Sequence, residues 1–409
     1  MTNESKVIPE LRFPDFNANW KENRLKDIAY INPKSYVIKP DVINYIDLES
    51  VNGNKVTDIK KIYKEDAPSR AQRIAKYQDI FFQTVRPYQQ NNFIYNFDIR
   101  NVVVSTGYAQ IRVRQNAYYV FTLLHTHRFL TSVLMNCTGS NYPAINGTDL
   151  SNIKVIYSSD KEEQKKIGDF FSKLDRQIEL EEEKLDLLEH QKKGYIQKIF
   201  SQELRFKDEN NKYYPEWHFK KINELGHTFT GLSGKTKDDF GYGDGVFITY
   251  MNVFKNTIAK SDMIENVNIE PTENQNRVQY GDILFTTSSE VPNEVGMSSI
   301  WLFNQDNVYL NSFCFGFRVS VNYINPVYLA RYLRSEEMRK IITILAQGST
   351  RFNISKKEMM KLNIKVPHMD EQNKIVNFFN KIDKLILKQG KKIELLKQRK
   401  QSLLQKMFV

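Results

Sequence analysis

The segment EQKKIGDFFSKLD, which begins at Glu163, returns as EQNKIVNFFNKID at Glu371. From Glu163 to Phe200, sixteen of 38 positions are identical in the stretch Glu371 to Phe408, without a gap. Such a repeat constrains the fold strongly, because whatever one copy packs against, the other must find again. Further segments repeat in the same order. ELRF occurs at Glu10 and Glu203, each time ahead of a tryptophan, Trp20 and Trp217. YQDIFFQT at Tyr77 matches YGDILFTT at Tyr280, and NVVVSTGYAQIRV at Asn101 matches NVYLNSFCFGFRV at Asn307. The 25 residues from Asn116 align without a gap to those from Asn325, and NIKV occurs at Asn152 and Asn363. Matching segments lie 193 to 211 residues apart, far beyond a solenoid period, so the chain reads as two copies of one domain-plus-helix unit. Identity is dense in the helix-like part and sparse elsewhere. One part of the unit therefore does the same job twice, and the other does two related jobs.

The dense part carries a heptad seam. Ile167, Phe171, Leu174, Ile178, Glu181, Leu185, Leu188 and Lys192 step by four and three, as do Ile375, Phe379, Ile382, Ile386, Gln389, Ile393, Leu396 and Lys400. Neither stretch contains proline. At 1.5 Å per residue each spans roughly 57 Å. Both seams are broken by polar residues at the same two places. A parallel pairing sets Lys192 against Lys400. An antiparallel pairing instead sets Glu181 against Lys400 and Lys192 against Gln389, with Ile178 facing Leu403 and Leu185 facing Leu396. Buried polar partners fix register, so the expectation is an antiparallel intramolecular pair in that register. The competing arrangement is two amphipathic helices, each packed on its own domain.

Charge is unevenly spread. The chain carries a net charge of +11 with a pI near 9.2. Glu163 to Phe200 holds eight basic and nine acidic residues, whereas Glu371 to Phe408 holds ten and three. Much of the basicity therefore lies on one helix. It permits a nucleic-acid partner without establishing one. Two cysteines, Cys137 and Cys314, suit a reducing cytosol and give no disulfide or zinc framework. No apolar run approaches 18 residues, so no membrane span is expected. The opening MTNESKVIPELRF lacks the pattern of a signal peptide.

The sparse parts read as mixed strand and helix. β-branched apolar runs at Tyr77 and Asn101 are strands, and Asn325-Pro326 opens a helix. That helix and its counterpart after Asn116 are expected to end at Gly348 and Gly139. Just after the paired strands lie two polar loops. In Gln83 to Phe93, Thr84, Arg86, Tyr88, Gln89, Gln90, Asn91 and Asn92 include side chains able to take a guanine or an adenine edge. At the same place in the second copy, Ser288, Ser289, Glu290 and Asn293 offer hydroxyls, an amide and a carboxylate that suits cytosine. A second pair of loops follows the helices. Ser140, Asn141 and Tyr142, and Gln347, Ser349, Thr350 and Arg351, can hold a phosphate or a base edge. An ordinary polar loop or a helix C-cap explains the same residues.

Catalytic motifs do not survive inspection. NPVY at Asn325 has the outline of a methyltransferase tetrad but lacks its second proline and a glycine-rich cofactor loop. The His125-Thr126-His127 triplet has no third metal ligand at useful spacing. GYGDG at Gly241 reads as a flexible turn. Three readings remain from the residues: a DNA-binding subunit, a coiled-coil scaffold whose two domains bind protein partners, and an enzyme, against which the missing motifs weigh.

ELRF, the strand leading into TVRPY or TTSSE, the Gly-Ser loop and the EQ-x-KI-x-x-FF-x-K-hydrophobic-D helix, all duplicated, resemble the DNA-specificity subunits of type I restriction–modification systems. The first copy departs in its lead-in, VIYSSDKEEQ against VPHMDEQ. The resemblance implies an α+β fold with two similar mixed α/β target-recognition domains, residues 1–160 and 203–369. They are separated by two spacer helices, 161–202 and 370–409, forming an antiparallel intramolecular coiled coil with pseudo-two-fold symmetry. It also implies a non-catalytic cytoplasmic protein that reads a bipartite, asymmetric site in double-stranded DNA. Its partners would be two methyltransferase subunits using S-adenosylmethionine and restriction/translocase subunits using ATP and Mg. No cofactor would be bound by this chain.

Overall fold

The proline-free heptads form two long helices, Lys161–Phe200 and Met369–Met407. The computed structural model describes residues 8–34 and 40–409, so the leader reading falls partly on residues 1–7, outside the described residues. The chain divides into two units, Met1–Lys184 with Gln389–Val409, and Leu185–Lys388. Each unit holds one α+β domain, the start of one long helix and the end of the other.

The first unit contains two four-stranded sheets. In one, Tyr108–Val113 lies between Ala29–Ile31 and Ile80–Gln83, and Phe93–Ile94 continues the sheet, all antiparallel. In the other, Val42–Ile46 and Val102–Ser105 pair in parallel, flanked by Lys60–Tyr63 and Ala71–Ile74. The second unit repeats the first sheet as Gly226–Thr230, Cys314–Val319, Ile283–Thr286 and Ser298–Ile300. Its other sheet is three-stranded, with Phe240–Ile248 parallel to Val308–Leu310. The strand runs at Tyr77 and Asn101 thus lie side by side, as do their counterparts. A buried aspartate from each repeated Tyr-x-Asp-Ile motif anchors that pairing. Asp79 takes two hydrogen bonds from Arg112, and Asp282 two from Arg318.

The helix openings follow the sequence. Asn116 and Asn325 cap Ala117–Leu123 and Pro326–Tyr332 through their side-chain oxygens. The ends do not. Thr126 and Ser335 cap a second helix in each unit, His127–Met135 and Glu336–Ile344. Gly139 and Gly348 lie beyond both helices, in a bridged loop where Thr138 pairs with Ala144 and Gln347 with Asn353. The glycines serve that loop instead of a helix end. At φ +131 a Cβ on Gly348 would stand 2.1 Å from the Arg351 carbonyl oxygen.

Within each unit the two long-helix segments run antiparallel, but in a register unlike the expected one. In the first unit Glu181 accepts from Gln389 at 2.7 Å instead of meeting Lys400, and Lys400 reaches Asp175 at 2.5 Å. In the second, Lys192 reaches Asp383 at 2.7 Å instead of Gln389, and Tyr195 packs edge-on to Phe378. The lysines leave the seam because a flanking carboxylate satisfies the ammonium at its wet edge. These two aspartates close the repeated motif, and each also holds its own domain. Asp175 accepts from Tyr118, and Asp383 from Arg331. Burial pushes the Asp383 carboxyl up, but Arg331 and Lys192 outweigh it and hold it below the usual range. All sixteen seam residues are buried or half-buried; the middle of the first helix is more open than its ends, whereas Gln389 and Ile393 are buried in the middle of the second.

The motif's glutamates and the phenylalanines at the helix ends face inward. Glu163 is fully buried and takes two bonds from Arg12 and one from Trp20. Glu371 takes the same three from Arg205 and Trp217. Phe408 enters the first domain's core and Phe200 the second's. In the second unit ELRF follows its helix directly, and the Leu204 amide bonds to the Lys198 carbonyl. In the first unit the Leu11 amide makes that bond to Lys406. The doubled ELRF and EQ…FF…D motifs are therefore one internal lock, built twice.

Candidate nucleic-acid interface

Each unit brings its two candidate loops together. In the first, Val85 bridges Ala144, the Arg86 amide bonds to the Pro143 carbonyl, and the Ile145 amide bonds to Thr84. In the second, Ser288 and Ser289 pair with Asn353 and Phe352, and the Ile354 amide bonds to Thr287. The two places correspond position by position. The sequence named all four loops but gave no sign that they join in pairs, because the joining bonds are backbone bonds over some 60 residues.

Side chains at the first site are held in unusual ways. Arg86 and Gln90 adopt left-handed backbone conformations at φ 53 and 52, on either side of a 3-10 turn, Pro87–Gln89. Non-glycine residues held there mark a backbone fixed by its surroundings. The Arg86 guanidinium lies 4.4 Å from the centre of the exposed Tyr142 ring. Tyr88, Ser140 and Asn141 are exposed, and Gln90 is half-buried. Thr84 is buried and donates to the Gly107 carbonyl, so it supports the loop from beneath. Gln89 accepts from Gln83, and Asn91 accepts from the Gly53 amide.

Gln83 and Asn92 organise this turn; sequence reading missed that role, taking Asn92 for a base-edge candidate. Gln83 donates to the Val85 carbonyl and to Gln89, and accepts from the Asn91 amide. Asn92, fully buried, accepts from the Gln83 amide and faces His125 at 3.1 Å. Their only signal is polarity at the end of an otherwise apolar strand. Beneath this turn lies a cleft of about 830 Å³, whose wall mixes Asp175, Glu179 and Glu182 with Arg176, Lys397 and Lys400. Those charges offset one another and select no ligand charge.

The second site uses other chemistry. Ser288 is buried, and Tyr250 donates to its carbonyl. The Ser289 hydroxyl bonds to Glu294, while Glu290 is exposed. Asn293 leaves its side chain exposed while its carbonyl accepts from Arg339, which also bonds the Gly296 carbonyl. Gln347, Ser349, Thr350 and Arg351 are exposed, and Arg351 lies 5.6 Å from the Phe313 ring centre. Among the described residues no group of three or more His, Cys, Asp or Glu is placed to hold a metal.

His125 makes the first site sensitive to acid. Its Nδ1 lies 2.7 Å from the Phe121 carbonyl and so carries the proton, which leaves Nε2 to accept from Asn92. Burial pushes its pKa down to about 4. An unfolded histidine titrates near 6.5, so between those values the unfolded chain binds a proton that the folded chain refuses. Stability is therefore lost as pH falls through that window and recovered above it. We expect the first unit to lose on the order of 2–3 kcal/mol between pH 7 and pH 4. A His125→Gln variant, which keeps an acceptor for Asn92, should lose less. Urea midpoints at both pH values check this, and equal losses in the two proteins would remove His125 from the account.

The type I restriction modification DNA specificity domain profile matches residues 17–190 and again 214–398. The HindI type I restriction enzyme specificity subunit of Haemophilus influenzae is 28% identical over 171 residues, 40% of this chain and 37% of that protein. That match therefore spans little more than a third of the relative's length. The putative MjaX type I restriction enzyme specificity subunit of Methanocaldococcus jannaschii is 23% identical over 408 residues, 93% of this chain and 91% of that one. Among solved structures, the type I restriction–modification S subunit from M. genitalium matches with a TM-score of 0.53 at 14% identity, covering 98% of this chain and 99% of that one. A chain from a study of complex assembly and conformational transition of the type I R-M system gives 0.60 at 19%, covering 95% and 97%. At such identities these likenesses speak for the fold. With a specificity-domain match in each half, on the two sites built alike, the chain belongs to the type I restriction–modification DNA specificity family.

Proposed function

We propose that this chain reads a bipartite, asymmetric site in double-stranded DNA, one part with each unit, and confers that specificity on partner subunits. The observation that carries the reading is one loop junction built twice with different side chains. Arg86, Gln90 and Tyr142 stand where Ser289, Asn293 and Arg351 stand in the other copy. A common frame with exchanged hydrogen-bonding groups is what two readers of different bases require. The long helices act as the spacer. Two methyltransferase subunits carry S-adenosylmethionine, and restriction/translocase subunits carry ATP and Mg. The complex works in the cytoplasm; among the described residues no helix is long and apolar enough to cross a membrane.

The test is to map methylated adenines in DNA exposed to the assembled complex. One two-part sequence is expected. If a randomised duplex library yields no preference, the domains bind protein instead. Arg86→Ala should relax one half-site only, by about 1–3 kcal/mol for a bidentate guanine contact. Equal loss at both half-sites, or none, would refute that assignment.

Docking needs positions that the internal lock leaves free. Leu187 and Leu395 are equivalent and identical, yet 57% and 64% exposed. We expect Leu187→Lys with Leu395→Lys to cut methyltransferase co-purification by at least about tenfold while leaving the unfolding midpoint unchanged. Undiminished co-purification would place the docking surface elsewhere.

A further inference from the structure

The most exposed large apolar side chains among the described residues are Ile344, at 82%, and Met135, at 80%. They occupy the same position of the gapless repeat, at the last residue of His127–Met135 and of Glu336–Ile344. Both helices are amphipathic and bury their other face, through Phe129 and Val133 or Met338 and Ile342. Each helix packs against the 3-10 turn of its own candidate reading loop, Pro87–Gln89 or Pro292–Glu294. In the second unit Arg339 clamps that contact through the Asn293, Val295 and Gly296 carbonyls. Each tip is therefore continuous with a loop junction.

The surrounding charge selects a partner. No Asp or Glu occurs from residue 99 to 148, a stretch that holds Arg100, Arg112, Arg114 and Arg128. None occurs from residue 338 to 357 either, which holds Arg339, Lys340, Arg351, Lys356 and Lys357. Arg112, Arg128 and Lys340 are paired with Asp79, Glu22 and Glu336, but the loop junctions that the two tips lead into still present Arg86 and Arg351. An apolar tip beside such an arginine suits a polyanion whose own apolar surfaces are base faces and deoxyribose. The neighbouring loops differ between the copies, whereas the tip is apolar in both. It thus has a task that does not depend on sequence.

We propose that Met135 and Ile344 are wedges, one per half-site, that press into a base step of the duplex and partly unstack it beside the reading loops. Unstacking costs energy at the step and is offset by the closer contact that a bent duplex makes with the protein. This rests on the DNA-reading function proposed above.

The experiment uses the full chain assembled with its methyltransferase subunits. The probe is a duplex carrying the mapped site, with 2-aminopurine placed in turn at each position except the methylated adenine, which a methyltransferase itself extrudes. The wild-type complex should brighten one step in each half-site. Met135→Ala should abolish the signal in one half-site only, and Ile344→Ala in the other. Each should weaken binding by about tenfold, with the ranking of half-site sequences unchanged. Met135→Leu should keep the signal. Because both side chains are exposed, neither variant should move the unfolding midpoint. A preferred duplex without a brightened step, or with one that Met135→Ala leaves intact, overturns the wedge and spares the reading. Loss of methyltransferase assembly without DNA in these variants also overturns it, and assigns the tips to protein. A complex with no preferred duplex overturns both.

Discussion

Glu163→Ala should destabilise the first unit by about 3–5 kcal/mol, the cost of breaking a buried ion pair from one side. The carboxylate has no solvent exposure, and Arg12 meets it with Nε at 2.6 Å and Nη2 at 2.9 Å. Trp20 Nε1 adds a third bond at 3.2 Å. Alanine leaves the guanidinium and the indole N–H without their acceptor in a site that water does not fill. The lock joins the ELRF segment to the start of a long helix across 151 residues, so its loss frees both. Glu163→Gln, which keeps one acceptor oxygen, should cost less. The pair Arg12→Leu with Glu163→Leu should recover part of the loss, because no charge is then stranded. Hydrogen exchange resolved by segment should show the change in the first unit, and Glu371→Ala should move it to the second. A loss below about 1 kcal/mol would mean that the pair is incidental to the fold.

That lock shows what the sequence made legible and what it did not. The repeat announced that Glu163 and Glu371 matter, as it did for Trp20 and Trp217. It could not say that each glutamate touches its tryptophan, because contacts across 143 and 154 residues leave no local periodicity. Antiparallel pairing was legible from the polar breaks, since a parallel pair would oppose Lys192 and Lys400. Register was not. A heptad pattern repeats every seven residues, so sliding one helix by two turns keeps every apolar contact type. Only the flanking Asp175 and Asp383 decide, and they lie off the seam. The same limit hid the first site's frame. Gln83 and Asn92 read as parts of a polar loop and His125 as a structural or surface histidine until the fold closes them around the turn at Arg86. The exposed residues of the loops were nameable by chemistry alone, and their pairing by backbone bridges was not.

Phe408→Ala should cost the first unit about 3–5 kcal/mol, as truncation of a buried aromatic does. The ring is 6% exposed and stands 5.5 Å from Tyr119, 5.8 Å from Trp20 and 6.2 Å from Phe171, centre to centre. It is thus the point at which the end of the second long helix enters the first domain's core, beside the Glu163 lock. Alanine removes that anchor and leaves a cavity lined by three aromatic rings, which cannot collapse without moving Trp20. At roughly 2–4 °C per kcal/mol for a unit of this size, the first unit's melting midpoint should fall by about 10 °C. Phe200 holds the equivalent place between Tyr328, Tyr332 and Phe379, so Phe200→Ala should lower the second unit's midpoint instead. Calorimetry with Trp217 and Trp20 as separate fluorescence reporters distinguishes the two. Should Phe408→Ala melt with the wild type, the end of that helix does not hold the first domain, and the doubled motif needs another explanation.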